Sequence, residues 1–326
     1  MKHEISSPGI SDLQIFSKDT LFKGQPAKVN CVQICGQTYT VSMGPLRVVQ
    51  LEDEWYEEVR EPESVIQVLE QNVGLKADLF TFRQHLPDAQ PRFAFYTEWE
   101  SIGVLPIQTY DHWWNQQVKG TTRNMIRKSQ KAGVDVREST FDDAFVRGMT
   151  EIFNETPIRQ GRRFWHYGKD VETVKRQFSR FLFREELIGA YYQSELVGFA
   201  MLGRSEKFAD LGQIIAKVQH RDKAITNALV AKAVQMCESR KIPYLVYGHW
   251  VENSLSDFKR HCGFAEQRLP RFFVPLSTKG KLSLKLSLHR GWKDALPKQV
   301  KDPLKKLRAF WQSRQSAKSL VRNVTT

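Results

Sequence analysis

The densest group of residues able to do polar chemistry lies between Pro157 and Lys169, where Arg159, Arg162 and Arg163 stand beside Phe164, Trp165, His166 and Tyr167. Guanidinium forks grip carboxylates or phosphates bidentately, and aromatic rings stack on planar groups. The segment reads as an acceptor clamp; the plainer alternative is a loop pinned to the core by its aromatics. Glu151 and Glu155, spaced i, i+4 just before it, share a helical face. They could activate an amine, although an ion pair with Arg159 is the simpler use. A second group, Tyr247, His249 and Trp250, follows a short apolar run from Tyr244. Ligands of open α/β sheets collect at the carboxyl ends of strands, and an imidazole placed there can relay protons near neutral pH. A loop histidine without a chemical role is the competing reading. A third group is basic: Lys119, Arg123, Arg127, Lys128 and Lys131 occur with no acid among them, and Arg123, Arg127 and Lys131 line one helical face. Such a face suits an anionic partner, or water.

Periodicity supplies the elements that must hold these residues. A strand-like run with a Cys-Gly break covers Val29 to Met43, and a short helix Ser64 to Gln71. Further strands are expected over Ala77 to Phe82 and Phe93 to Tyr96, with Pro87 and Pro91 between them. The basic helix leads through Gly133 into a strand from Val134 to Arg137. Phe141 to Asn154 reads as a helix with Thr140 as N-cap. From Leu187 the pattern sharpens. Strands are expected over Leu187 to Tyr192, Leu196 to Leu202 and Asp210 to Val218. They are followed by a helix over Ala224 to Lys241, a strand over Tyr244 to Tyr247, and a helix over Ser254 to His261 closed by Gly263. The order hairpin, strand, helix, strand, helix gives an α/β layout with a helix-covered sheet.

Composition narrows the class. The 326 residues are 41% hydrophobic and 11% aromatic, as in globular chains, and long enough for two domains. The net charge of +13 is concentrated: Lys279 to Arg322 carries thirteen Lys/Arg against Asp294 and Asp302, leaving the body nearly neutral. Within this tail Leu304, Leu307, Phe310, Trp311, Ala317 and Val321 fall near one helical face. That pattern suits an anionic membrane surface, tRNA phosphates, or packing on the body. Cys31 and Cys35, i, i+4 in a strand, and Cys237 and Cys262 read as core thiols rather than zinc ligands, so no metal is expected. No signal peptide is visible and no apolar run approaches the ~20 residues of a membrane span. A reducing, cytoplasmic setting is expected, with peripheral contact at the inner membrane face.

The stretch Leu187-Ile188-Gly189-Ala190-Tyr191-Tyr192-Gln193-Ser194-Glu195-Leu196-Val197-Gly198-Phe199-Ala200 resembles the hairpin of the GNAT acyltransferases. Asn253 followed by Phe258-Lys259-Arg260-His261-Cys262-Gly263-Phe264 is similar to their closing helix. Arg221-Asp222-Lys223-Ala224-Ile225-Thr226-Asn227-Ala228-Leu229 falls in register with their Arg-x-x-Gly-x-Gly-x-x-Leu loop. The resemblance implies donor binding by Arg221, Lys223, Ala224, Thr226 and Asn227, where backbone N–H groups at a helix N-terminus hold a pyrophosphate. Ala224 and Thr226 stand where the family has glycines, a departure from a coenzyme A cradle. A second likeness, over roughly Trp113 to Phe273, is to the FemAB family of GNAT-fold transferases. It rests on Thr122 to Val134, with its Arg-rich helix and Gly133-Val134, and on Phe258-Lys259 before Gly263-Phe264. That family moves an amino acid from aminoacyl-tRNA to a peptidoglycan precursor and does not use the coenzyme A loop in this domain.

These likenesses imply a GNAT-fold α/β domain preceded by a smaller, divergent GNAT-like one. The expected boundaries are 1–110 for the first, 111–278 for the transferase domain and 279–326 for a basic helical tail. The implied activity is FemAB-like N-acyl transfer to a small-molecule or lipid-linked amine. Lys259 stands where many GNAT enzymes have a catalytic Tyr, and Lys259, His249 and Tyr247 are the candidate catalytic residues. No bound cofactor is expected; aminoacyl-tRNA or acyl-CoA is the co-substrate. An acetyl-CoA-dependent N-acetyltransferase and a non-catalytic GNAT-like module on an anionic surface are the alternatives.

Overall fold

The structure is a computed structural model describing residues 13–22, 25–72, 74–159, 161–179 and 182–290. One mixed sheet of twelve strands runs through it. On the N-terminal side are β1 (Phe16–Phe22), β2 (Gln25–Ile34), β3 (Gln37–Val41), β4 (Val48–Leu51) and β5 (Leu79–Arg83). Neighbours are antiparallel except β4 and β5, which are parallel and joined through helix α1 (Pro62–Gln71). Pro62 opens α1, where its missing N–H costs nothing, and Val65 and Leu69 bury one face.

The same plan recurs. After β6 (Tyr96–Pro106) come α2 (Tyr110–His112), which continues into a π-turn over Trp113–Gln117, and α3 (Gly120–Lys131). Strand β7 (Asp135–Ser139), α4 (Asp143–Asn154), a small separate hairpin of β8 (Ile158–Arg159) and β9 (Arg162–Arg163), and α5 (Val171–Phe178) follow. Strands β10 (Glu185–Tyr192), β11 (Glu195–Arg204) and β12 (Ala209–Ala216) are antiparallel. Helix α6 (Ile225–Ser239) then crosses to β13 (Tyr244–His249), parallel to β12. Helix α7 (Ser254–His261), β14 (Ala265–Pro275) and α8 (Thr278–Lys285) complete the described chain.

The repeat is closed by an exchange. Strand β6 follows β5 but pairs with β13, while β14 follows β13 but pairs with β5; β6 and β14 then pair with each other over nine residue partners. Two apolar clusters fill the two ends, one around Tyr39, Phe80, Phe82 and Phe272, the other between the sheet and α3 and α6 around Trp113, Leu229 and Leu245. A third lies on the opposite face under α4 and α5, around Phe153 and Phe199.

Several expectations are corrected. The N-cap of α4 is Asp142, whose carboxylate accepts from the Phe145 N–H at 2.8 Å, because it stands one residue before the first helical turn and Thr140 stands three. Cys35 sits at the β2–β3 turn with φ +47 and is exposed, since the strand ends at Ile34; Cys31, Cys237 and Cys262 are buried. The strand expected from Phe93 begins only at Tyr96. Among the described residues no helix is long and apolar enough to cross a membrane, and no group of His, Cys, Asp and Glu could hold a metal. Residues 291–326, with most of the expected basic tail, lie outside the described residues.

Candidate active site

Strands β12 and β13 are paired only at Ala209–Leu245 and Asp210–Val246. Beyond these pairs the parallel strands diverge, which opens the sheet on the carboxyl side. Two irregularities shape that opening. In β12 the register against β11 slips between Leu211 and Gln213, which makes Gly212 the extra residue of a β-bulge. In β13, Gly248 adopts φ +52, and the ladder to β6 skips from Val246 to His249. A left-handed residue inside a strand is tolerated by glycine at little steric cost.

On one side of the opening stands Lys259. Helix α7, which carries it, is started by a capping box in which the Asn253 side chain accepts from Leu255 and Ser256 while Ser256 reaches back to the Asn253 N–H. Such caps contribute about 1 kcal/mol. The helix end is tied down by the Trp113 indole, which donates to the Cys262 carbonyl at 2.9 Å. Lys259 is 2% exposed. Its ammonium donates to the His249 carbonyl at 2.8 Å and lies 4.8 Å from the Tyr247 ring centre. Its stem fills space left by Gly103, where an added Cβ would meet Lys259 Cδ at 3.3 Å and Trp250 at 3.2 Å. Burial pushes the Lys259 pKa down, and the nearby Asp210 pulls it back up. Lys259 and Tyr247 are thus brought together. The His249 ring packs edge-on against Trp55 at 5.2 Å, and burial followed by Arg83 holds its pKa below the usual value.

On the other side is a residue that sequence reasoning missed. Asp210 is 5% exposed. Its Oδ1 accepts from the Gly248 N–H at 3.4 Å, and the Trp55 indole also donates to it. Desolvation raises its pKa to about 6 despite both hydrogen bonds and the cations Lys259 and Arg83. Asp210 belongs to a cross-strand row with Gly203 and Glu185. Burial, then Asp210, raises Glu185 to about 7. The Tyr56 hydroxyl sits over Gly203, where any Cβ would meet it at 2.5 Å. Gly212 faces the same two groups: a Cβ there would stand in van der Waals contact, 3.5 Å from Asp210 Oδ2 and 3.9 Å from the Tyr56 hydroxyl. An acid inside the strand-like run from Ala209 to Ala216, whose other polar side chain is Gln213, was the available sequence signal.

The donor-loop residues surround the start of α6. Lys217 is buried between Glu195 and Glu151, 3.2 Å from the latter. A 3₁₀ turn over Val218–Lys223 follows, and Ala224 adopts the left-handed region at φ 52, ψ 36. Thr226 and Asn227 lie in the first turn of α6, which has no side-chain cap. Arg221 is exposed, and Lys223 rests its ammonium 4.7 Å from the Tyr192 ring. The start of the 3₁₀ turn is already occupied: the Glu155 carboxylate accepts from Val218 N–H at 2.6 Å and Gln219 N–H at 2.9 Å.

The aromatic-arginine segment divides into two sets. Arg159 donates to the Ala216 and Ile152 carbonyls, each at 2.8 Å, and pairs with Glu155 at 3.0 Å. His166 is 1% exposed and stacked 4.2 Å from Phe153; burial, then Lys169, lowers its pKa to about 3, so it stays neutral. These two anchor the segment. Arg162, Arg163, Trp165 and Tyr167 face outward, with the Lys169 ammonium 3.9 Å from the Trp165 ring.

No family model matches the chain, and no curated protein does. Among solved structures it is similar to FemX, with TM-score 0.52 and 10% identity over 84% of this chain and 90% of that one. It is also similar to the C-terminal domain of a putative lysylphosphatidylglycerol synthetase from Agrobacterium fabrum, with TM-score 0.50 and 12% identity over 85% and 88%. L-PGS from Bacillus licheniformis gives TM-score 0.50 and 13% identity over 86% and 88%. The two-fold plan, the diverging strands and these likenesses agree: the chain has a GNAT-like α/β fold, shared with FemX and the lysylphosphatidylglycerol synthetase structures.

Proposed function

We infer that the chain is a FemAB-like N-acyltransferase that passes an acyl or aminoacyl group to an amine. The observation that supports this most is the opening between β12 and β13, with Lys259 on one side and Asp210 beside the Gly212 bulge on the other. Acyl transfer needs an acceptor for the amine proton and donors for the carbonyl oxygen that becomes anionic. Asp210, raised to about 6, is ionised at neutral pH yet basic enough to take that proton. The Gly212 N–H, in the bulge, suits the oxyanion, and Lys259 supplies positive charge near it. The C–N bond forms as the donor's acyl bond breaks; the amine gives up one proton and the departing group takes one.

The likeness to FemAB proteins favours aminoacyl-tRNA as donor, bound by the α3 cations, over acetyl-CoA. Two features of the loop support that choice: the strained Ala224, and the Glu155 carboxylate already seated on the Val218 and Gln219 amides. A small or lipid-linked amine is the acceptor, met at the inner face of a membrane. The outward set Arg162, Arg163, Trp165 and Tyr167 is the proposed acceptor contact. Two experiments test the reading. Calorimetry should show no heat with millimolar acetyl-CoA, whereas filter retention of aminoacyl-tRNA should weaken steeply with salt. Asp210→Asn should leave retention unchanged and lower transfer 10²- to 10⁴-fold, the usual worth of a positioned base. Micromolar acetyl-CoA binding together with acetyl transfer would establish the N-acetyltransferase alternative instead.

A further inference from the structure

Helix α8 is built inside out. The side that holds it to the sheet is mainly polar. The Ser277 hydroxyl caps the helix, accepting from Gly280 N–H at 3.0 Å, and donates to Asp78 Oδ1 at 2.7 Å. Gly280 lies so close that an added Cβ would stand 2.0 Å from the Asp78 carbonyl oxygen. Ser283 is buried, and the side chain of His289, 1% exposed, reaches Glu98 at 2.6 Å. Only Leu284 turns inward, onto Leu79 and Phe273. The outward side is apolar: Leu282 and Leu286, one turn apart, are 53% and 54% exposed, and Leu288 just beyond is 42% exposed. Around them stand Lys279, Lys281, Lys285 and Arg290, and from Ser277 to Lys293 the sequence holds no acid. The nearby acids, Asp78 and Glu98, are engaged by Ser277 and His289 from within and by two of these cations, Lys279 at 3.4 Å and Arg290 at 2.9 Å.

We propose that this face of α8, with the turn to Arg290, docks the protein on an anionic lipid bilayer. Exposed leucines ringed by cations match a plane of acidic headgroups above acyl chains, whereas a nucleic acid would leave the leucines without a partner. The chain beyond continues the same chemistry: residues 291–326 carry nine Lys/Arg against two Asp, with Trp292, Phe310 and Trp311. The proposal is independent of the reading of the active site, since no residue of the β12–β13 opening takes part.

Flotation of the full chain with phosphatidylcholine vesicles, with and without phosphatidylglycerol, tests it. Binding is expected only with phosphatidylglycerol, accompanied by slowed amide exchange over 278–290. Leu282→Glu/Leu286→Glu, at exposed positions and with an unchanged melting temperature, should bind at least tenfold more weakly. Lys281→Gln/Lys285→Gln should lose about fivefold per cation. The proposal is overturned if the parent ignores phosphatidylglycerol vesicles. It is equally overturned if the leucine variant binds them as the parent does, because residues 291–326 would then suffice. Protection of 278–290 that is already complete without vesicles would show those residues folded over the leucines, and would overturn it too.

Discussion

Asp210 is the residue at which stability and proposed chemistry pull apart. Its carboxyl titrates near 6 in the folded chain, against a usual value near 4 when unfolded. The unfolded chain therefore releases this proton first as pH rises. The folded state is favoured below the unfolded pKa, and that advantage is lost as pH climbs through about 6. Glu185, raised to about 7, extends the loss toward neutrality. Asp210→Asn keeps an acceptor for the Gly248 and Trp55 donors and removes the buried charge. At pH 8 it should melt higher than the parent, with an upper bound of roughly 3 kcal/mol from the two-unit shift, and at pH 4 the two should coincide. Thermal melts across pH 4–8 decide this; a variant less stable at pH 8 would mean that the carboxylate is held by more than Gly248 and Trp55. Ala224 offers a second test. A β-carbon in the left-handed region costs about 1–2 kcal/mol, part of which glycine returns through unfolded-state entropy. Ala224→Gly should stabilise the chain by about 0.5–1 kcal/mol in urea unfolding, and without a gain in acetyl-CoA binding while Glu155 stays in place.

Among the elements, the joint between α4 and the 3₁₀ turn explains why the site was only half legible in the sequence. Glu155 and Arg159, read as an ion pair from their i, i+4 spacing, do pair. Spacing along a helix reports neighbours on that helix, whereas the two amides that Glu155 also accepts from lie more than sixty residues away. Glu155→Ala leaves those N–H groups and the Arg159 guanidinium short of an acceptor. Each hydrogen bond to a charged group contributes about 1.5–3 kcal/mol, so a loss of at least about 2 kcal/mol is expected. Amide exchange at 218–220 should quicken before global unfolding; unchanged protection there would show that the turn holds without Glu155. The same limit accounts for the strands. The hairpin β10–β11, helix α6 and helix α7 were legible because each carries its own periodicity, turn or cap. Strands β6 and β14 were largely invisible, as Glu98, Glu100, Arg268 and Arg271 interrupt their apolar alternation. Glu100 and Arg271 are satisfied across the sheet: Arg271 donates to Glu100 at 2.7 Å and pairs with Glu54, and Arg83 pairs with Glu100 at 2.7 Å. A charge that finds its partner only in the folded sheet looks, in one dimension, like a loop. Lys259 and Tyr247, which lie together in the structure, were singled out because a short motif and a strand end marked them. Asp210 was passed over because its partners, Trp55, Tyr56 and Glu185, come from other parts of the chain.

For the whole molecule, the exchange of β6 and β14 sets how the chain should unfold. Each of these strands leaves the half that precedes it and pairs with the other, and their mutual ladder, from Ala265–Val104 to Phe273–Tyr96, forms the middle of the sheet. Separating the halves would strip both strands of a partner and expose backbone groups along their length, each costly to leave unpaired. The two apolar clusters should therefore melt together, although they lie at different ends of the sheet. Phe272, fully buried against Phe82, Phe93 and Phe95, tests this from one end, since Phe→Ala in such a core costs about 3–5 kcal/mol. In calorimetry of the intact chain, Phe272→Ala should shift one cooperative transition downward. Near-ultraviolet signals from Trp113, which belongs to the opposite cluster, should fall at the same temperature. Two transitions, with only the lower one displaced and Trp113 reporting the upper, would show that the halves fold independently. The central ladder would then be a contact between them rather than the bond that makes them one cooperative unit.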